Sequence, residues 1–296
     1  MRKLLLVLSI TCFVLTAVAQ DFKKEFSALQ SKKDTAAQIA LLRKWEQHDP
    51  NDAALFVAYF NYYYAKSRSE IVNLGREQKG TPGFTLTDSI GNVAGFLSGG
   101  TAYDPVMLAT AFRYIDSGIS HYPTRLDMRF GKIYVYGQVE DYERFTAGII
   151  QTIHFGQTIG NRWTWADNKP VKDPERFFLQ TIQEYVVQLY NAGDAQLDRM
   201  KNIALAVLQY YPAHVESLSN LAIAYSLLGD DDKALDALLR AEKIAPEDFI
   251  VLNNIAGLYE SKGDKPKAID YYERMLKHGD DEAKAKATEK LKELRK

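Results

Sequence analysis

The chain has 296 residues, with 37 basic against 38 acidic side chains and a formal net charge of −1. That balance excludes nucleic acid as the expected partner, because phosphate binding calls for a clustered basic excess. The single cysteine, Cys12, excludes an intrachain disulfide framework.

At the start, Met1-Arg2-Lys3 is basic, Leu4–Val18 is mostly apolar, and Ala17-Val18-Ala19 forms a small–x–small cleavage motif before Gln20. Residues 1–19 are therefore predicted to be a signal peptide. About 15 apolar residues fall short of the roughly 20 needed to span a bilayer, so no stable membrane span is expected after cleavage. Cys12 belongs to this leader, and Ser9-Ile10-Thr11 before it lacks the Leu and small residue of a lipid-attachment motif. Without Arg2 and Lys3 the chain keeps 35 basic against 38 acidic residues, a net charge of −3. The leader resembles those of Gram-negative exported proteins, so the periplasm is the expected address, with full secretion as the alternative.

Residues 20–156 are predicted to form an irregular run of helix pairs, about 21–50, 51–123 and 124–156. Asp49-Pro50 and Tyr122-Pro123 mark the corners, and Gly156 follows an apolar helix over Phe145–Ile153. Phe56, Tyr59, Phe60 and Tyr63 recur at i, i+3, i+4 and i+7 and predict an apolar core stripe, with Tyr62 and Tyr64 at its edges. An insertion over 67–103 breaks this region and holds seven of the 18 glycines. Its Phe84–Phe96 stretch alternates apolar and polar residues around Asp88-Ser89-Ile90-Gly91-Asn92, which predicts a β-hairpin. A second break over 157–175 carries Trp163-Thr164-Trp165 beside Arg162. Each break can serve as a cover over the helices or as part of a ligand site.

Residues 176–280 complete the fourth pair, about 174–212, and add pairs at 213–246 and 247–280. The last two repeat one another at an offset of 34 residues. Leu218 falls on Leu252, Leu221 on Ile255, Ala222 on Ala256, Tyr225 on Tyr259, Gly229 on Gly263, Ala234 on Ala268, Leu238 on Tyr272 and Ala241 on Met275. The first four of these positions form one helical stripe. Gly229 and Gly263 end that helix, since glycine takes a left-handed conformation without a Cβ clash. Residues 281–296 are rich in Ala, Lys and Glu and predict a polar capping helix.

This pattern of large–apolar–small–Tyr, then Gly, then small–aromatic–small resembles the tetratricopeptide repeat family. The resemblance implies an all-α solenoid of about six helix pairs, with the β-hairpin insertion and the capping helix added. It also implies a concave binding face made by the first helix of each pair. Carried onto this chain, that face comprises Glu216, Ser219, Asn220, Ile223, Ser226 and Leu227, then Ile250, Asn253, Asn254, Gly257, Glu260 and Ser261. Asn220 and Asn254 stand where the family often has an Asn whose amide can bond a peptide backbone. Ser219 and Ile223 stand where a carboxylate clamp needs Lys and Asn, so that clamp is not expected.

Catalytic and metal chemistry find little support in the sequence. His48, His121, His214 and His278 lie beside corners, and His154 is expected to close the helix before Gly156. None of the five has a ligand partner at metal-binding spacing. Phosphate-cradling Gly motifs and a Gly-x-Ser-x-Gly elbow are absent. No cofactor, metal or catalytic residue is expected. The function read from the sequence is a non-catalytic protein- or peptide-binding scaffold or assembly factor. The alternatives are an exported carbohydrate or small-molecule receptor using Trp163, Trp165, Arg162 and the insertion, and an enzyme with its site under the insertion.

Overall fold

The computed structural model describes residues 21–76 and 82–296; the leader, with Cys12, lies outside the described residues. The helices follow one another in pairs. They are α1 (21–31) with α2 (Thr35–His48), α3 (Ala53–Ser67) with α4 (Pro105–His121), and α5 (Leu126–Gln138) with α6 (Tyr142–Thr158). Then come α7 (Pro174–Asn191) with α8 (Leu197–Tyr210), α9 (Val215–Leu227) with α10 (Asp231–Ile244), and α11 (Phe249–Ser261) with α12 (Lys265–His278). A last helix, α13 (Asp281–Leu294), follows. The fold class is all-α, as expected, with one small β insertion.

Aspartates start many of these helices. Asp34, Asp52, Asp104, Asp141, Asp230, Asp248, Asp264 and Asp280 each accept a hydrogen bond from a first-turn backbone N–H. A carboxylate there satisfies an orphan donor and meets the positive end of the helix dipole.

The chain divides into two compact units. The first contains the described residues through Lys132 together with Thr164–Lys169. Trp45 is fully buried at its centre, and its indole N–H donates to Asp52 at 2.9 Å while Asp52 also caps α3. Helix α3 packs on both α2 and α4, and this corrects one expectation. Tyr62 is buried at 3% exposure within the α2–α3 core, whereas Tyr63 is only half-buried. A helix covered on two sides buries more than a single stripe. Tyr114 of α4 stacks on Tyr59 at 4.1 Å and on Tyr63 at 5.6 Å.

The insertion is a three-stranded antiparallel sheet rather than a hairpin alone. Strands β1 (Arg68–Gly75), β2 (Gly83–Thr87) and β3 (Val93–Tyr103) lie in the order β1-β3-β2. The β2–β3 turn is the expected one, with the Asp88 carboxylate accepting from the backbone N–H groups of Ile90 and Asn92. The sheet is closed at its root, where Asp104 N–H donates to the Ser67 carbonyl at 2.8 Å.

The second unit contains Ile133–Trp163 and Pro170–Lys296. Its C-terminal core is built from the repeated stripe: Leu218, Ala234, Ala241, Leu252, Ile255, Ala256 and Ala268 are each fully buried. Gly229 and Gly263 have φ of +85° and +76°, so the predicted corners form. Both hairpins are fastened alike. Lys233 pairs with Asp230 and lies 5.5 Å from the centre of the Tyr225 ring; Lys267 pairs with Asp264 and lies 4.7 Å from that of Tyr259.

One expected helix end is wrong. Helix α6 runs through His154 and Gly156 to Thr158, so His154 does not close it. A Cβ on Gly156 would come within 3.1 Å of the Trp163 ring, so this glycine makes room for an indole.

Candidate peptide-binding cleft

Helix α7 and the first helices of the two repeated hairpins, α9 and α11, contribute to one open cleft of about 470 Å³, with α13 at one end. Tyr190 comes from α7, Ile223, Ser226 and Leu227 from α9, and Asn253, Asn254, Gly257, Glu260 and Ser261 from α11. Ala222, Ala234 and Leu238 line it from the hairpin core, and Lys286 and Lys290 from α13. The apolar part is open to solvent, since Tyr190 and Leu227 are 52% and 53% exposed.

The polar groups are of two kinds. At the α13 end, Glu260 accepts the Tyr272 hydroxyl at 2.9 Å and pairs with Lys290 at 3.1 Å. Burial first, and Glu260 second, push the Tyr272 hydroxyl well above the usual tyrosine range. The Glu260 hydrogen bond in turn raises the Lys290 ammonium. Along the floor, Asn253 donates to the Asn254 side-chain oxygen at 3.2 Å. The Asn254 amide nitrogen and the Asn253 oxygen accordingly keep bonding capacity for a ligand.

At the other edge of α9 the polar residues are committed to each other. Asn220 donates to Gln183, Gln183 to Ser217 at 3.3 Å, and Ser217 meets His214 Nδ1 at 2.9 Å. His214 Nε2 lies 3.3 Å from Glu216. Burial lowers the His214 pKa, with Glu216 and Glu175 pulling the other way. Ser219 is buried at 7% exposure.

Residues 217–248 and 251–286 match the tetratricopeptide repeat family. Those two stretches are tetratricopeptide repeats. No curated protein matches it. Among solved structures it is similar to the Yersinia enterocolitica type III secretion chaperone SycD in complex with a peptide of the translocator YopD. The identity is 11%, with 40% of this chain and 92% of that one covered at a TM-score of 0.37. It is also similar to the tetratricopeptide protein TTC0263 of Thermus thermophilus (14% identity, 61% and 89% covered, TM-score 0.38). A third is PilF of Pseudomonas aeruginosa (10% identity, 90% and 78% covered, TM-score 0.31).

Of the residues assigned to the concave face of the tetratricopeptide repeats, Ile223, Ser226, Leu227, Asn253, Asn254, Gly257, Glu260 and Ser261 line the cleft. Glu216, Ser219, Asn220 and Ile250 do not. Sequence reasoning missed Tyr190, Lys286 and Lys290. Helix α13 follows α12 as α11 follows α10, and so stands next in chain order where one more first helix would.

The aromatic loop needs a correction. Trp163 is 1% exposed, stacked at 5.7 Å on Phe178 and tilted against Phe155 at 5.8 Å, so it offers no face to a ligand. Trp165 is 37% exposed. Arg162 is exposed and donates to the Ile159 carbonyl at 2.9 Å. Residues Thr164–Lys169 are a packed connector of the first unit. Thr164 bridges to the backbone of Thr124 and Leu126, and buried Arg125 forks onto Asp127 at 2.7 Å and reaches Asn168 at 3.2 Å. Among the described residues, no group of three or more His, Cys, Asp or Glu side chains could hold a metal ion.

Proposed function

We propose that the chain is a non-catalytic scaffold or assembly factor that binds a protein or peptide segment in the cleft between α7, α9, α11 and α13. The observation that carries this reading is the convergence of residues from successive first helices on one open, mixed apolar and amide surface. An extended or helical segment laid there finds apolar contact on Tyr190, Ile223 and Leu227 and backbone bonding partners in Asn253 and Asn254. A preformed groove loses little entropy when it is filled.

Gly257 supplies the test. It lines the cleft, and a Cβ built on it meets nothing within 4 Å. Gly257→Arg should therefore fill the groove while leaving the core intact. Peptides selected from a random library against the wild-type chain are expected to lose at least about tenfold in affinity on Gly257→Arg, a change of roughly 1.4 kcal/mol. Gly257→Ala should bind like wild type. Undiminished binding by the arginine variant, with helicity preserved, would move the site elsewhere.

We further propose that the chain is exported through its leader, to the periplasm or beyond. N-terminal sequencing of the protein recovered from cell fractions is expected to begin at Gln20. An intact Met1 in the cytoplasmic fraction would reject this. The small-molecule receptor reading is weakened by the burial of Trp163, one of its two proposed stacking faces.

A further inference from the structure

The sheet over residues 68–103 has two chemically different faces. Strand alternation and register put Val72, Leu74, Phe84, Leu86 and Leu97 on one of them. The Leu74 and Leu86 side chains approach each other over Gly95, where an added Cβ would lie 3.1 and 4.0 Å from their methyl carbons. On the other face Phe96, 5% exposed, folds onto Gly83, in the company of Asn73, Thr85 and Ser98.

The apolar face is open to solvent. Phe84 is 78% exposed, Val72 75% and Leu74 71%. The charged residues Arg68 and Glu70 enter β1 only at the sheet's root, beside Ser67. The five side chains present roughly 400 Å² of apolar surface. One side of a standard interface buries about 800 Å², of which about 450–500 Å² is non-polar. The face is thus close to the size one side of a stable dimer needs.

Lipid is a poor occupant. Among the described residues, both outer strands, β1 and β2, leave one edge of backbone N–H and C=O groups without a neighbouring strand. Hydrocarbon cannot satisfy such groups, whereas water beside a packed sheet can. A second sheet of the same kind fits better, because apolar sheet faces stack at about 10 Å. The two charges on this face, Arg68 and Glu70 at its root, are opposite in sign and sum to zero, so a second copy across a two-fold axis meets no net like charge.

We propose that this face is the contact through which two copies of the chain associate, apolar sheet against apolar sheet. Sedimentation velocity of the full chain across the micromolar range is expected to show a dimer. Val72→Glu and Phe84→Glu should each halve the apparent mass, while Thr85→Glu on the opposite face leaves the dimer intact. Unchanged far-ultraviolet circular dichroism in all three variants separates lost association from lost folding. A wild-type chain that stays monomeric, or a dimer that survives both glutamates on the apolar face, overturns the proposal. So does a monomer that pellets with phosphatidylglycerol vesicles through Phe84, an outcome that assigns the face to lipid.

Discussion

At His214 the chain holds a half-buried imidazole between the Ser217 hydroxyl and the Glu216 carboxylate. Burial depresses its pKa below the ordinary 6.5, against the pull of Glu216 and Glu175. The unfolded chain then takes up the proton first as pH falls. Stability linked to this group is therefore complete above about pH 6.5 and declines from there down to the folded pKa. Thermal unfolding followed between pH 7.5 and 5 should show this decline (the onset is set by the ordinary histidine value). His214→Gln, which keeps a partner for Ser217, should flatten it. Identical slopes in the two proteins would show that His214 contributes nothing. The polar chain from His214 through Ser217 and Gln183 to Asn220 was not legible in the sequence. Gln183 belongs to a pair whose repeat register is loose, and Asn220 was assigned to a ligand that its Gln183 bond does not need. Trp163 was misjudged for a related reason: sequence puts it in a loop, and only the space left by Gly156 shows where its ring goes.

At the scale of elements, helix α13 is the clearest case of a segment whose worth lies in what it covers. Its Ala283, Ala287 and Leu291 are buried in the same core as Ala268, Tyr272 and Met275, while its other face is charged and exposed. Lys290 adds the link to Glu260 described for the cleft. Removing residues 281–296 should cost about 3–6 kcal/mol, from one leucine, two alanines and the partner surface they leave wet. Denaturant unfolding would measure the loss. Hydrogen exchange should then quicken most in α11 and α12, since neighbouring repeats stabilise one another. A truncated chain with an unchanged midpoint would contradict this account. The helices were largely readable because apolar spacing and Asp or Gly corners are local signals. Strand β1 was not, because Arg68–Gly75 forms a strand only through pairing with β3, a partner some thirty residues away.

For the whole molecule, the repeat over 217–286 is the part where sequence and architecture agree most closely. Upstream, stacked aromatics such as Tyr59, Tyr63 and Tyr114 replace the small-residue spacing of the repeats, and the period becomes hard to hear in the sequence. Asp230–Lys233 over Tyr225, and Asp264–Lys267 over Tyr259, join residues only within their own hairpin. Each hairpin thus carries this latch within itself, while Lys262–Asp232 and Arg274–Glu242 tie the two hairpins together. A duplicated 34-residue segment would arrive already latched, so an array of this kind can lengthen by copying without inventing that latch anew.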